Sequence, residues 1–203
     1  MPSSWFPYAL GLGLGWACLC TYHELRKETK GLEEKLQPQL DILFGDQYPY
    51  VESISYRQED GSRTTGKIYR VGVTNRGKET VGRVGVELER TEPPVPVPSH
   101  VALHIMHDNP EIEGGLYRRE FPLDPGRPVY IDLVQKDSKS GDILICHTIY
   151  GISRAIPAGQ YAFTVLVYGH NSAPSRREFS IEVQEDGNLV VSGPEKANMP
   201  TKG

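Results

Sequence analysis

Apolar and polar residues alternate with a period of two through most of the chain, from Tyr48 to about Val191. This alternation predicts strands with one buried face, because successive side chains of a strand point to opposite faces of its sheet. Ile68–Thr74 and Val84–Arg90 alternate most cleanly, and the turn sequence Asn75–Gly77 between them predicts two adjacent antiparallel strands. The other predicted strands are Val51–Arg57, Val101–Met106, Leu116–Phe121, Val129–Val134, Ile143–Ile149, Tyr161–Tyr168, Arg177–Val183 and Leu189–Val191.

Short strands at this spacing, with no periodic segment of helical length among them, predict a mainly β fold: an antiparallel β-sandwich over residues 46–191. Ile156–Phe163 resembles the tyrosine corner of immunoglobulin-like domains, in which a tyrosine that opens a late strand bonds back to upstream backbone. Phe163 then stands where antibody domains carry their second cysteine. We therefore expect an immunoglobulin-like sandwich without that disulfide, followed by a disordered tail over residues 192–203.

Before this domain lies a run of residues without charge, Trp5–Tyr22. As a helix the run would span roughly 27 Å, close to the roughly 30 Å of a bilayer core. Residues 1–22 contain no Lys or Arg, unlike the start of a cleavable signal peptide. Gly15–Trp16–Ala17 places a bulky residue where a lipoprotein signal before Cys18 needs a small one. We expect a tail over residues 1–4 and one retained transmembrane helix over residues 5–22.

Charges on the two sides of this helix predict its orientation. Four cations follow it within about 20 residues: Arg26, Lys27, Lys30 and Lys35. The expected location is therefore a bacterial inner membrane crossed once, with the C-terminal domain in the cytoplasm. The alternative is a periplasmic domain held by an uncleaved signal anchor.

Two glycines in the span have the GxxxG spacing. Gly11 and Gly15 would lie on one face of the helix and allow a second helix to approach closely. This spacing predicts that the chain can form a homodimer through its membrane helix.

Residues 23–45 form the predicted stalk. They are rich in Glu and Lys up to Leu36, which is typical of a short solvated helix, and Pro38 ends it. Leu40–Phe44 is apolar enough to dock on the domain as a first strand.

Five segments, together with the anchor and the stalk, carry a resemblance: YRVGVTN, VGVELER, LHIMHDN, FPLDPGRPVYIDLV and IPAGQYAFTVLVYG. The chain resembles a family of uncharacterised bacterial and phage-associated single-pass membrane proteins with a C-terminal immunoglobulin-like β-sandwich. The resemblance implies the architecture. It implies no activity and no site residue.

The densest group of potential ligands is the segment Ser99–Asp108, with three histidines. On a helix, His100, His104 and His107 would share one face and form a plausible zinc site. On a strand the side chains of His104 and His107 diverge. Because Val101, Leu103 and Ile105 alternate as in a strand, we expect no metal and no cofactor, and keep a metal-dependent hydrolase centred on His104 as an alternative.

Other catalytic arrangements are not apparent in the sequence. Cys146 and His147 are neighbours on a predicted strand, so their side chains diverge. No serine lies in a G-x-S-x-G elbow. The net charge of −4 gives no electrostatic reason to bind nucleic acid. We expect no catalytic residue and no enzymatic activity.

The sequence therefore predicts a membrane-anchored, non-catalytic binding module. Its partners would be the lipid bilayer, through residues 5–22, and a protein of unknown identity. A periplasmic domain that binds glycan or envelope components is the alternative. Binding is expected at the loops over residues 75–80, 108–115 and 135–142. The candidate residues in these loops are Asn75, Arg76, Asp108, Asn109, Lys136 and Asp137.

Overall fold

The computed structural model describes residues 21–27, 38–57, 61, 63–106, 118–138, 140–148 and 155–193. The chain divides into two compact units, Met1–Gln37 and Pro38–Gly203. In the first unit, residues 21–27 form a helix. In the second unit, the described residues form strands β1 (Leu40–Leu43), β2 (Val51–Arg57), β3 (Arg63–Asn75), β4 (Val81–Glu92), β5 (Val101–Ala102), β6 (His104–Ile105), β7 (Glu120–Leu123), β8 (Val129–Lys136), β9 (Ile143–Ile145), β10 (Gly159–Tyr168), β11 (Ser175–Val183) and β12 (Leu189–Ser192).

Most of the predicted membrane span, residues 5–20 with Gly11 and Gly15, lies outside the described residues, as do residues 28–37 of the predicted stalk and residues 194–203 of the predicted tail. Within the described ranges, no helix has the length and apolar character needed to cross a membrane. The second unit includes Leu40–Leu43, which lie in the predicted stalk and form the first strand expected at Leu40–Phe44.

The strands form two antiparallel sheets, which confirms the prediction of a mainly β fold. The first sheet has the order β1–β3–β8–β6, with β2 also paired to β3 and β9 to β8. The second has the order β12–β11–β10–β4–β5, with β7 also paired to β4. Apolar side chains from both sheets form one core, in which Phe163 and Phe179 are fully buried. Each buried phenylalanine contributes about 1.5 to 3 kcal/mol of hydrophobic stabilisation.

The predicted pairing of β3 with β4 is wrong. β3 pairs with β1, β2 and β8, whereas β4 pairs with β5, β7 and β10 in the other sheet. Asn75 holds the connection between them: its Nδ2 donates to the carbonyls of Glu79 and Leu123, and its Oδ1 accepts from the Gly77 amide. The segment therefore crosses between the sheets, which typically lie about 10 Å apart, instead of closing a hairpin.

The predicted strand Val101–Met106 is interrupted because it changes sheet. β5 pairs with β4 in the second sheet, and β6 pairs with β8 in the first. Leu103, between them, forms an isolated bridge with His147. Residues 146–148 also pass from one sheet to the other: the Cys146 amide donates to Leu133 in the first sheet, and the Thr148 amide donates to Ala102 in the second. β9 therefore ends at Ile145, before the end of the predicted strand Ile143–Ile149. Two stretches of chain thus join the sheets along this side of the sandwich.

The tyrosine corner is confirmed. The Tyr161 hydroxyl, at the start of β10, donates to the Pro157 carbonyl at 2.9 Å. A tight turn precedes the last strand: Gly187 has a φ of 72°, in the left-handed region that glycine adopts without strain, and the Gln184 amide donates to the Asn188 carbonyl.

Candidate functional site

The structure separates the histidines that the sequence placed in a potential zinc site. His104 lies on β6, and its Nδ1 is 2.7 Å from Oδ2 of Asp132 in the first sheet. The Nδ1 of His100 is 3.4 Å from Oε2 of Glu87, on β4 in the second sheet. His107 lies outside the described residues. Among the residues that the structure describes, no group of three His, Cys, Asp or Glu side chains could hold a metal ion.

His104 belongs instead to a row of polar side chains across the first sheet. The register places Arg70 opposite Asp132 and His104 on the other side of Asp132. Arg70 Nε donates to Asp132 Oδ1 at 2.5 Å, and Arg70 Nη1 donates to Glu52 Oε2 at 2.6 Å. We call Glu52, Arg70, Asp132 and His104 the polar row.

The polar row is buried at its centre. The side chain of Arg70 is 4% exposed, and that of Asp132 is 9% exposed. Burial alone would lower the pKa of Arg70, but the hydrogen bonds and charges of Asp132 and Glu52 outweigh it, and the pKa is raised. The guanidinium is therefore held as a cation between two carboxylates, which is the condition for tolerating a buried charge.

Cys146 adjoins the polar row without entering it. Its carbonyl accepts from the His104 amide, and its own amide donates to the Leu133 carbonyl. Although the residue is only partly buried, the surroundings of its sulfur are dense, and burial, followed by the negative charge of Asp132, raises the pKa of the thiol well above its usual value. The protonated thiol is a weak nucleophile. His147 is buried and forms an isolated backbone bridge with Leu103, beyond the end of β9.

The predicted binding-loop residues have mixed positions. Asn75 is 1% exposed and organises its own loop, so its side chain is not presented to a partner, contrary to the prediction. Arg76 is exposed and forms an ion pair with Asp41. Lys136 is half-buried at the end of β8, and Oδ2 of Asp137 accepts from the amide and hydroxyl of Ser140. Asp108 and Asn109 lie outside the described residues.

The outer face of the second sheet carries a feature that the sequence does not predict. The register aligns four side chains directly across β4, β10, β11 and β12: Glu92, Ala162, Ser180 and Ser192. Strands lie about 4.8 Å apart, so this row of mostly small side chains runs about 14 Å across the sheet. We call it the trough.

Larger polar side chains stand on both sides of the trough. Thr164 and Glu178 oppose each other on one side, and Gln160 and Glu182 oppose each other on the other. The space between them is an open hollow of about 460 Å³. Its lining comprises Glu92, Gln160, Tyr161, Ala162, Glu178, Ser180, Ser192 and Gly193. The sequence feature that marks the trough is a small residue at an outward position of each of three strands. These residues can be recognised as one row only when the register of the strands is known.

Further along the same face, Tyr168 packs directly over Gly85. A Cβ at residue 85 would lie 2.4 Å from the Tyr168 ring, so this approach requires glycine. The Tyr168 hydroxyl donates to Oε1 of Glu87 at 2.9 Å. Burial and this carboxylate raise the pKa of Tyr168 to about 12. The Tyr168 ring therefore covers the sheet at Gly85, whereas the trough is not covered by a large side chain.

Comparison of the chain with models of protein families, with curated proteins and with solved structures finds no match. Any functional interpretation therefore depends on the sequence and on the geometry described above.

Proposed function

We propose that the chain is a membrane-anchored, non-catalytic binding module, whose immunoglobulin-like sandwich binds a protein through the trough on its second sheet. The trough is the observation that carries this proposal. It combines an open hollow of about 460 Å³ with exposed polar side chains. It also lies on regular strands, which hold a binding surface more rigidly than loops do.

The strand order supports the immunoglobulin-like assignment. In constant-type immunoglobulin domains, one sheet has the order A-B-E-D and the other C-F-G. If β1, β3, β4, β6, β8, β10 and β11 are taken as A to G, the two sheets have these orders. The tyrosine corner then lies at the start of strand F, as in those domains, and the buried Phe163 takes the position of the second cysteine.

The state of the reactive groups supports a non-catalytic role. Asp132 is engaged by both Arg70 and His104, and the buried guanidinium of Arg70 donates to Asp132 and to Glu52. Burial keeps the thiol of Cys146 protonated. A nucleophile needs a nearby base or a lowered pKa, and these groups supply neither for Cys146.

The anchored topology follows from the sequence alone. The charge-free run over residues 5–22 and the four cations after it support a single span with the sandwich in the cytoplasm. A C-terminal alkaline phosphatase fusion tests the predicted orientation separately. An inactive fusion is expected for a cytoplasmic sandwich, whereas phosphatase activity in the periplasm would contradict this orientation.

The binding role can be tested by blocking the trough. Ser180 is exposed at its centre, so Ser180→Tyr would fill it with a side chain that strands accommodate well. Ser55→Tyr makes the same change at an exposed position of β2 in the other sheet. Full-length chains carrying a proximity-labelling enzyme would be compared in the native host.

We expect the wild-type and Ser55→Tyr chains to label the same neighbours, and Ser180→Tyr to lose at least one of them. Reproducible neighbours that all persist in Ser180→Tyr would argue against the trough. If the wild-type chain has no reproducible neighbour, the binding role itself is contradicted.

A further inference from the structure

The charges around the trough point to the chemistry of its occupant. Glu92 and Glu178 line the hollow, and Glu182 stands beside it on β11. Among the described residues, two cations lie on this part of the face: Arg90, whose Nη1 is 3.4 Å from Oε1 of Glu92 and whose Nε donates to Thr164, and Arg176, two residues before Glu178 on β11, whose Nε is 2.9 Å from Oε2 of Glu89. Because Arg176 is already paired with Glu89, the three carboxylates Glu92, Glu178 and Glu182 face one further guanidinium, that of Arg90, and the trough is negatively charged.

Of these three carboxylates, Glu178 is the least engaged, since Glu92 pairs with Arg90 and Glu182 accepts from Gln184. Glu178 is exposed, and among the described residues it forms neither an ion pair nor a side-chain hydrogen bond. The side chains of Glu92 and Arg90 are each more than half exposed, and an ion pair that is so exposed contributes little to the stability of the fold. A partner cation would therefore gain attraction from Glu178 and Glu92 without first breaking a strong internal bond.

We infer that the trough binds an extended polypeptide segment of a partner protein that carries lysine or arginine side chains. This inference rests on the proposed binding role and adds the chemistry of the partner. Four residues of extended chain span about 14 Å, which matches the length of the trough. Ala162, Ser180 and Ser192 are small enough for the segment to lie close to the sheet, and the serine hydroxyls can bond its backbone.

A small peptide tests this inference directly. The probe is fluorescein-labelled Gly-Lys-Gly-Lys-Gly, compared with Gly-Gln-Gly-Gln-Gly and Gly-Glu-Gly-Glu-Gly, and binding to the full-length chain in detergent micelles is followed by fluorescence anisotropy. We expect only the lysine peptide to bind, with an affinity that falls as sodium chloride rises from 50 to 300 mM, because the charges are exposed.

Two charge reversals separate the trough from the overall charge. Glu178→Lys removes the least engaged carboxylate, whereas Glu185→Lys makes the same change at an exposed position in the turn after β11. We expect Glu178→Lys to weaken binding of the lysine peptide at least tenfold, and Glu185→Lys less than threefold.

Equal weakening by the two reversals would show that only net charge matters and would overturn the inference. Equal binding of the three peptides, or no binding by the lysine peptide, would also overturn it. If the lysine peptide fails but Ser180→Tyr still removes labelled neighbours, the binding role stands and only the cationic partner is refuted.

Discussion

Replacing Asp132 by Asn removes the central charge of the polar row and should destabilise the fold strongly. Two unit charges about 4 Å apart interact by about 4 kcal/mol at the effective dielectric constant of a protein site. Removing one partner of a buried pair typically costs about 3 to 5 kcal/mol, because the other charge stays buried. Glu52 still faces Arg70, and Asn keeps the shape of Asp, so we expect a loss of about 3 kcal/mol for Asp132→Asn.

Glu89→Gln is the matched control, because it also exchanges a carboxylate for an amide. Oε2 of Glu89 lies 2.9 Å from Nε of Arg176, whose side chain is 54% exposed, so the loss should stay below about 1 kcal/mol. Urea unfolding of the full chain in detergent, followed by circular dichroism, measures both losses. Tryptophan fluorescence is unsuitable, because both tryptophans, Trp5 and Trp16, precede the sandwich. A loss in Asp132→Asn no larger than in Glu89→Gln would refute the stabilising role of the polar row.

Three further predictions concern single side chains. Tyr161→Phe should lower the free energy of unfolding by about 1 kcal/mol in the same assay, because it removes the hydroxyl bond to the Pro157 carbonyl; an unchanged stability would contradict a role for the corner. The pKa of Tyr168 is raised to about 12, so the protonated hydroxyl stabilises the folded chain. This stabilisation is complete below the ordinary pKa of 10.0 and is lost as the pH rises through about 12. An ultraviolet titration should therefore show a late tyrosine phase that Tyr168→Phe removes, and a phase near pH 10 for this residue would contradict the prediction. Because burial raises the pKa of Cys146, its thiol should react slowly with Ellman's reagent at pH 8 in a chain lacking Cys18 and Cys20, and rapidly after unfolding in urea; rapid reaction of the native chain would contradict this.

The positions of most strands follow from the sequence, but the partners of some do not. Alternation located β2, β10 and β11 well, because one face of each is buried. It could not show that β3 and β4 belong to different sheets, since a turn sequence suits a hairpin and a crossing between sheets equally. That outcome depends on the bonds from Asn75 to Glu79 and Leu123, which the sequence does not display.

The candidate sites were harder to predict for the same reason. The sequence offers His104 as a candidate metal ligand. Its partner Asp132 lies on another strand, and only the register of β6 and β8 places the two residues side by side. The trough likewise consists of residues far apart in sequence, such as Glu92 and Ser180, which no local pattern connects. Burial can be read from a periodic sequence, whereas contacts across strands depend on pairing.

Photo-crosslinking from the floor of the trough tests the central claim most directly. A benzoylphenylalanine residue would replace Ser180 in the full-length chain, and in a second chain it would replace Ser55, which is also exposed but lies on the other sheet. After irradiation in the native host, the binding-module account predicts a discrete covalent adduct with a protein from position 180 and none from position 55. No adduct at position 180, or the same adducts at both positions, would contradict it.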